Sequence, residues 1–194
     1  MTITVGVLTP HTTPGAEIEL TGQVRVALSR GPDFEQAAEK LPAVDALAIA
    51  STGTGYTLGY DEECALVTRL QQRWNVPTTS TSTAAVETLR SRNVERISLI
   101  HPPWFESGLN ELGAEYFRTQ GFDVVQARLA DVPNEFQPAM VVDWVTHHLN
   151  PSAEAVFLGG NGFRTTTCIP ALEQSTGRHV LTANQVLLRS ICHT

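Results

Sequence analysis

The chain has 194 residues, of which 42% are hydrophobic and 17% are charged, a composition that is typical of a folded protein with one domain or two small lobes. A net charge of −7 and a single lysine, Lys40, argue against a nucleic-acid-binding protein, which needs clustered lysine and arginine. The sequence has no apolar run long enough to cross a bilayer and no basic-then-apolar signal at its amino terminus, so we expect a cytoplasmic protein without a membrane partner.

The first half of the chain alternates short apolar runs with helical patterns. Strands are predicted over 3–8, 23–28 and 46–50, and helices over 33–41, 60–74 and 84–91. Thr83 is a suitable N-cap for the last of these helices. The hydroxyl-rich tract 78–83 is too polar for a central strand, so we expect it at a sheet edge or a pocket.

The second half repeats this plan. Strands are predicted over 96–101, 122–127, 155–158 and 180–181, and helices over 105–120, 139–149, 167–174 and 183–192. The pattern Thr83-Ala84 with Leu89-Arg90-Ser91 recurs as Thr182-Ala183 with Leu188-Arg189-Ser190. Alternating strands and helices predict an α/β fold of two pseudo-symmetric parallel-sheet βα lobes with the site in the cleft between them. The expected lobes are 1–92 and 93–182, and 183–194 is a helix expected to pack back on the first lobe.

Two turns of small residues follow equivalent strands. The run 46–50 leads from Asp45 into Ser51-Thr-Gly-Thr54, and 155–158 leads from Glu154 into Gly159-Gly-Asn-Gly162. Ser51 lies six residues after Asp45, and Gly160 lies six residues after Glu154. Because open α/β sheets bind ligands at the carboxyl ends of their strands, both turns are expected to face one site.

The three cysteines are an odd number and have no CxxC spacing. They therefore indicate neither a disulfide framework nor a zinc site, and we expect no metal and no cofactor. Cys64 and Cys168 fall in helical patterns, where a thiol is mostly a small hydrophobic group, although a functional thiol stays open.

These turns resemble those of the aspartate/glutamate racemase superfamily, in particular its maleate cis-trans isomerase and arylmalonate decarboxylase branch. Ala50-Ser-Thr-Gly-Thr54 resembles that branch's Cys-Thr-Ser-Gly-Thr turn with one position lost, and the tract 76–84 resembles its threonine- and serine-rich element. The stretch 158–162 resembles the Leu-Gly-Cys-Thr turn of the wider superfamily, and 169–180 resembles the helix and strand that follow.

The resemblance implies chemistry beside a carboxylate, with one cysteine of the family at each turn. Ser51 occupies the first position by register from Asp45, whereas the Thr-Ser-Gly-Thr match would place Ala50 there; the second position is Gly160. Both thiols are missing, and a serine hydroxyl cannot replace a thiolate without a neighbouring base. Two-base racemisation and thiolate addition to maleate are therefore not expected.

The resemblance also implies a set of site residues. Ser51, His11 and Tyr56 are the expected catalytic residues, because a histidine is the usual replacement proton carrier and a tyrosine supplies a phenol in the decarboxylase branch. Hydroxyls, N–H groups, an amide and a second histidine are expected to bind substrate: Thr12, Thr13, Thr52, Gly53, Thr54, His101, Gly160, Asn161 and Gly162. The alternatives are that the turn residues only satisfy tight-turn geometry, that the histidines cap strand ends, and that Tyr56 packs on the following helix.

Two functions are compatible with these residues. The first is a cofactor-independent lyase or isomerase that acts beside the carboxylate of a small organic acid, decarboxylation being favoured because it needs charge stabilisation and one proton donor. The alternative is a non-catalytic relative that binds a small carboxylate. Family members commonly pair, so the resemblance also implies a homodimer or a higher homo-oligomer.

Overall fold

The computed structural model of the chain describes residues 3–10 and 19–192, which contain two four-stranded parallel sheets. The first sheet has the order β2-β1-β3-β4, formed by β1 (Thr4–Thr9), β2 (Arg25–Arg30), β3 (Ala46–Ile49) and β4 (Thr78–Ser80). The second has the order β6-β5-β7-β8, formed by β5 (Arg96–His101), β6 (Asp123–Leu129), β7 (Ala155–Leu158) and β8 (His179–Thr182). The matching strand order reflects the repeat in the sequence, and the predicted α/β class with two parallel sheets is confirmed.

Helices connect the strands and flank the sheets. They are α1 (Phe34–Glu39), α2 (Thr52–Leu58), α3 (Tyr60–Trp74), α4 (Thr81–Ser91), α5 (Ser107–Thr119), α6 (Pro138–His148), α7 (Ile169–Thr176) and α8 (Ala183–Cys192). A 3-10 turn, Thr166–Cys168, precedes α7. Within the described ranges, no helix has the length and apolar character that crossing a bilayer requires.

An acidic side chain fixes the register of the third strand in each sheet. The Asp45 carboxylate accepts a hydrogen bond from the backbone N–H of Thr4 at 2.7 Å, and the Glu154 carboxylate accepts bonds from the N–H groups of Glu95 and Arg96 at 2.8 and 3.0 Å. Each acid thereby holds the start of β3 or β7 beside the start of β1 or β5. Ser51 and Gly160 each lie six residues after one of these acids, so the two turns begin at equivalent positions at the carboxyl ends of β3 and β7.

Helix α8 follows the last strand of the second sheet but also packs on the first sheet. Leu187 and Ile191 are buried with Val5, Val7 and other apolar residues of β1 and β3. Ala183 and Val186 of the same helix contribute to the core that contains residues of β5 and β7. Helix α8 therefore contacts the apolar cores of both sheets.

Several predicted bounds and one predicted N-cap differ from the structure. Strand β2 begins at Arg25, two residues later than predicted, because Gln23 and Val24 donate their N–H groups to the Leu20 carbonyl in a turn. Helix α4 begins at Thr81, so Thr83 is not its N-cap; the Thr83 hydroxyl instead bonds to the Ser80 hydroxyl at 2.8 Å.

The sequence patterns also did not predict α2, a separate short helix between the first turn and α3. Strand β4 lies at the edge of the first sheet, as its polar composition predicted.

Candidate functional site

The two turns that follow β3 and β7 are joined by the side chain of Thr52. Its hydroxyl accepts a hydrogen bond from the backbone N–H of Gly160 at 3.0 Å and donates to the amide oxygen of Asn161 at 3.1 Å. The backbone N–H of Thr52 donates to the same amide oxygen at 3.1 Å. The structure thus places three of the predicted site residues in direct contact, although more than one hundred positions separate the turns.

The Asn161 amide is fully engaged within the protein. Its nitrogen donates to the Thr81 hydroxyl at 3.0 Å and to the side-chain oxygen of Asn184 at 2.9 Å. Asn184 in turn donates to the Asn161 carbonyl at 3.0 Å and to the Glu19 carboxylate. Since both amide protons are used and the side chain is buried, Asn161 holds the second turn in place and has no proton left for a ligand.

Ser51 and Thr54 form a hydroxyl pair at the start of α2. The Ser51 oxygen accepts the N–H of Thr54 at 3.2 Å, as an N-cap does, and lies 2.7 Å from the Thr54 hydroxyl oxygen. Only one of the two hydroxyl protons can lie between these oxygens, so the other remains to be donated outward. Ser51 is buried and Thr54 and Gly53 are half-buried, which leaves this donor accessible at the edge of the turn.

Gly160 sits where the structure has no room for a side chain. Its φ of +89° lies in the left-handed region, which favours glycine. A Cβ at this position would lie 2.9 Å from two ring carbons of Pro102. The thiol that the resemblance associates with this turn is therefore excluded by backbone conformation and by contact. Gly162 is half-buried in the same turn and does not have a positive φ.

Tyr56 and His101 form a buried pair beneath the second turn. The tyrosine hydroxyl lies 3.0 Å from His101 Nε2, and His101 Nδ1 lies 2.9 Å from the side-chain oxygen of Asn110. A Cβ on Gly159 would lie 2.6 Å from the imidazole and 3.2 Å from the phenol oxygen, so the pair is in close contact with the turn. Burial lowers the pKa of His101 to about 4 and raises the pKa of Tyr56 well above its usual value.

A buried carboxyl, Glu63, lies beneath α2. The Ser80 hydroxyl donates to Glu63 Oε1 at 2.7 Å and the Tyr116 hydroxyl donates to Oε2. Burial raises the pKa of Glu63 to about 7, although these hydrogen bonds favour the ionised form. A Cβ on Gly55 would lie 2.6 Å from this carboxyl, so α2 rests directly on it.

The residues that the sequence did not single out are mainly buried polar groups. They are Thr81, Asn184, Asn110 and Glu19, together with Glu63, which the sequence placed only among the acidic residues of the first turn of α3. Thr81 carried the only visible signal, since it belongs to the hydroxyl-rich tract. The remaining side chains gain their partners from elements distant in sequence, which no local pattern reports.

Three predicted residues, His11, Thr12 and Thr13, lie outside the described residues. The cysteines do not belong to the two turns: Cys64 is half-buried in α3, Cys168 is buried with its thiol near the Pro138 carbonyl, and Cys192 is exposed at the end of α8. Burial raises the pKa of Cys168 to about 11. In residues 3–10 and 19–192, no three His, Cys, Asp or Glu side chains are grouped so as to hold a metal ion.

A cavity of about 290 Å³ lies beside the network of Asn184 and Glu19. Its other lining residues are Leu20, Gln23, Thr166, Gln185, Leu188, Arg189 and Cys192. The Glu19 carboxylate on its wall accepts bonds from the N–H and hydroxyl of Thr166 at 3.0 and 2.9 Å. This cavity is a second place where a small molecule could contact the hydrogen-bond network of the turns.

Solved structures of several enzymes share this fold. Unliganded arylmalonate decarboxylase matches with a TM-score of 0.84 and 18% identity over 99% of this chain and 92% of that chain. The maleate isomerase Iso from Pseudomonas putida S16 matches with a TM-score of 0.87 and 14% identity over 100% of this chain and 92% of that chain.

A third structure is a variant of Nocardia farcinica maleate cis-trans isomerase that carries a covalently bound succinylcysteine intermediate. It matches with a TM-score of 0.82 and 17% identity over 100% of this chain and 92% of that chain.

A comparison with curated protein sequences found no match. The family model of arylmalonate decarboxylase matches residues 32–189, which include β3 and β4 of the first sheet, the whole second sheet, both turns and most of α8. The family resemblance predicted from the two turns is thereby confirmed. The chain belongs to the arylmalonate decarboxylase family.

Proposed function

We propose that this protein is a cofactor-independent lyase or isomerase that acts at the carbon beside the carboxylate of a small organic acid, and that decarboxylation is its reaction. Family membership supports chemistry of this class. The observation that carries the proposal is the contact between the two turns through Thr52, whose hydroxyl bonds to both Gly160 and Asn161. Because this contact brings the two turns together, we expect one substrate to reach both of them.

The proposed reaction does not use a thiolate. The Nocardia farcinica isomerase holds its intermediate on a cysteine. In this chain the corresponding turns present Ser51 and a glycine, Gly160, that cannot carry a side chain without strain. Loss of carbon dioxide from a malonate-type acid needs no nucleophile, because the electron pair left behind enters an enediolate that hydrogen-bond donors stabilise.

The Ser51–Thr54 pair is the proposed source of that stabilisation. The pair keeps one hydroxyl proton that it does not use internally, and we expect an oxyanion of the substrate to accept it. The half-buried setting of Gly53 and Thr54 limits the competing water, which strengthens such a bond.

One proton must then be delivered to the carbon of the enediolate. We assign this step to the Ser51 hydroxyl, which first donates the free proton of the pair to the enediolate oxygen and then transfers it to the carbon. The imidazolium form of His11 is the acid that re-protonates Ser51, a role that rests on the sequence alone. Thr12 and Thr13 are proposed to bind the retained carboxylate from the same loop. His101 and Asn161 support the second turn from below, since their hydrogen-bonding atoms are already paired within the protein.

The alternative is a protein that binds a small carboxylate without turning it over. The observation that favours it is the absence of a thiol at both turns, together with the space restriction at Gly160. The two functions share one binding site and differ only in whether carbon dioxide or an isomer is formed.

The test is turnover of a panel of arylmalonates and alkylmalonates, maleate, and small keto and hydroxy acids, followed by proton NMR in deuterated buffer. Decarboxylation would show as a monoacid with one deuterium at the reacting carbon. Ser51→Ala is expected to lose turnover by about 10²-fold or more, the usual effect of removing a group that donates in the transition state. The matched control is Ser91→Ala, whose hydroxyl is exposed and bonds only within α4.

Full activity in Ser51→Ala would remove this residue from the mechanism. A ligand that raises the unfolding temperature without being consumed would support the binding protein instead, because a ligand selective for the folded state stabilises it by mass action. Neither turnover nor stabilisation across the panel would contradict both functions.

A further inference from the structure

A buried chain of hydrogen bonds connects three elements beneath the second turn. It runs from Tyr56 on α2 to His101 at the end of β5 and on to Asn110 on α5, with distances of 3.0 and 2.9 Å. Tyr56 is 2% exposed, His101 is 0% exposed and Asn110 is 7% exposed. Because water has little access to these groups, each donor must find its acceptor within the chain itself.

Asn110 determines the direction of these bonds. Its amide nitrogen donates to the carbonyl of Ala127 on β6 at 3.3 Å, so its amide oxygen faces His101. A carbonyl oxygen can only accept, and therefore the proton must be on His101 Nδ1. A neutral imidazole carries one N–H, so Nε2 is left to accept the proton of the Tyr56 hydroxyl.

The imidazole is closely packed. The Phe105 ring stacks on it at 5.4 Å between centroids, and a Cβ on Gly113 or Gly159 would lie within 3 Å of it. The titratable groups that face the pair are Tyr116, whose ring lies 5.6 Å from that of Tyr56, and Glu63, whose charge also raises the pKa of Tyr56. Burial keeps His101 neutral by lowering its pKa to about 4.

We propose that Asn110 is a positioning residue: it fixes His101 as the neutral Nδ1–H tautomer, so that His101 holds the hydroxyl proton of Tyr56. Tyr56 then supports the Gly159–Gly160 turn and does not protonate the substrate. The inference builds on the proposed function in one respect, since it removes Tyr56 from the candidate proton donors and leaves that step to the Ser51–Thr54 side of the site.

The direct test is the protonation state of His101, which long-range proton–nitrogen NMR reports without any substrate. The protein has six histidines, and the His101 signals are assigned by their absence in a His101→Gln variant. We expect a protonated Nδ1 and an unprotonated Nε2 that do not change between about pH 5 and 8, the range in which an ordinary histidine titrates. A protonated Nε2, or a titration in that range, would overturn the proposal.

Two substitutions of Asn110 test whether this residue imposes the tautomer. Asn110→Asp places a carboxylate against Nδ1, and we expect the titration midpoint of His101 to rise by about 1 to 3 pH units. Asn110→Leu keeps a similar volume but removes the acceptor, so we expect the tautomer to change to Nε2–H, with Tyr56 becoming the acceptor. An unchanged wild-type tautomer in a folded Asn110→Leu protein would overturn the assignment to Asn110.

If Asn110 had only a packing role, Asn110→Asp would not raise the titration midpoint of His101 and Asn110→Leu would not change its tautomer. If neither variant folds, the wild-type spectrum alone decides, because the Nε2–H form is incompatible with the proposal. Where turnover is found, kcat of Asn110→Asp should acquire a pH dependence at the midpoint that NMR gives for His101, whereas kcat of the wild type should show none at that pH. Failure of the proposed function would leave the NMR result intact, so the two failures are distinguishable.

Discussion

Replacing Thr52 with valine tests the contact between the two turns. Valine keeps the shape of threonine, and Thr52 is 1% exposed, so the main change is the loss of one hydroxyl. That hydroxyl is the acceptor for the Gly160 N–H and a donor to Asn161. An unsatisfied buried N–H costs about 1 to 3 kcal/mol and a lost hydrogen bond about 1 kcal/mol, so Thr52→Val should lower the free energy of unfolding by about 2 to 4 kcal/mol.

The assay is urea unfolding followed by circular dichroism, with the slope m compared between variants to check that the same surface unfolds. Thr52→Ser keeps the hydroxyl and should retain most of the stability. Thr57→Val is the matched control in the same helix, because its exposed hydroxyl bonds only to the Gly53 carbonyl and its loss should cost less than about 0.5 kcal/mol. A Thr52→Val protein as stable as Thr52→Ser would refute the reasoning that this hydroxyl joins the turns.

Two further predictions concern buried groups near the turns. The pKa of Glu63 is raised from 4.5 to about 7, so the folded protein binds the carboxyl proton more tightly than the unfolded chain does. The stabilisation from this protonated carboxyl is complete below about pH 4.5 and is lost as the pH rises through 7. The free energy of unfolding of the wild type should therefore fall by roughly 3 kcal/mol relative to that of Glu63→Gln between these limits. Urea unfolding at several pH values measures this difference, and a pH-independent difference would contradict it. Gly160→Ala should cost about 2 to 4 kcal/mol, from the left-handed backbone and the contact with Pro102, whereas Gly22→Ala, which meets open space, should be nearly neutral. Thermal or urea unfolding of the pair checks this prediction, and equal stabilities would contradict it.

The sequence predicted the parts of the fold that hydrophobic periodicity encodes. Strand β5, strand β7 and helices α3 and α8 have the predicted bounds, because each carries a regular apolar pattern between clear stop signals. The spacing from Asp45 and Glu154 to the turns was also informative, since these acids fix the register of β3 and β7.

The polar interior could not be predicted in the same way. Glu63 sits in the first turn of α3 beside two exposed acids, yet it is 1% exposed and bonded to Ser80 and Tyr116. Buried polar groups follow no periodic pattern, because their positions are decided by partners that only the folded chain brings near. The same reason explains why Asn110 gave no signal and why Thr83 was mistaken for an N-cap.

The most direct test of the central claim is a crystal structure of the protein with a malonate-type carboxylate. We predict a carboxylate oxygen within hydrogen-bond distance of the Ser51 or Thr54 hydroxyl, with the rest of the ligand facing the Gly159–Gly160 turn. A ligand that occupies the cavity beside Glu19 and Arg189, while the space between Ser51 and Gly160 stays free of it, would contradict the claim that the two turns form one carboxylate site.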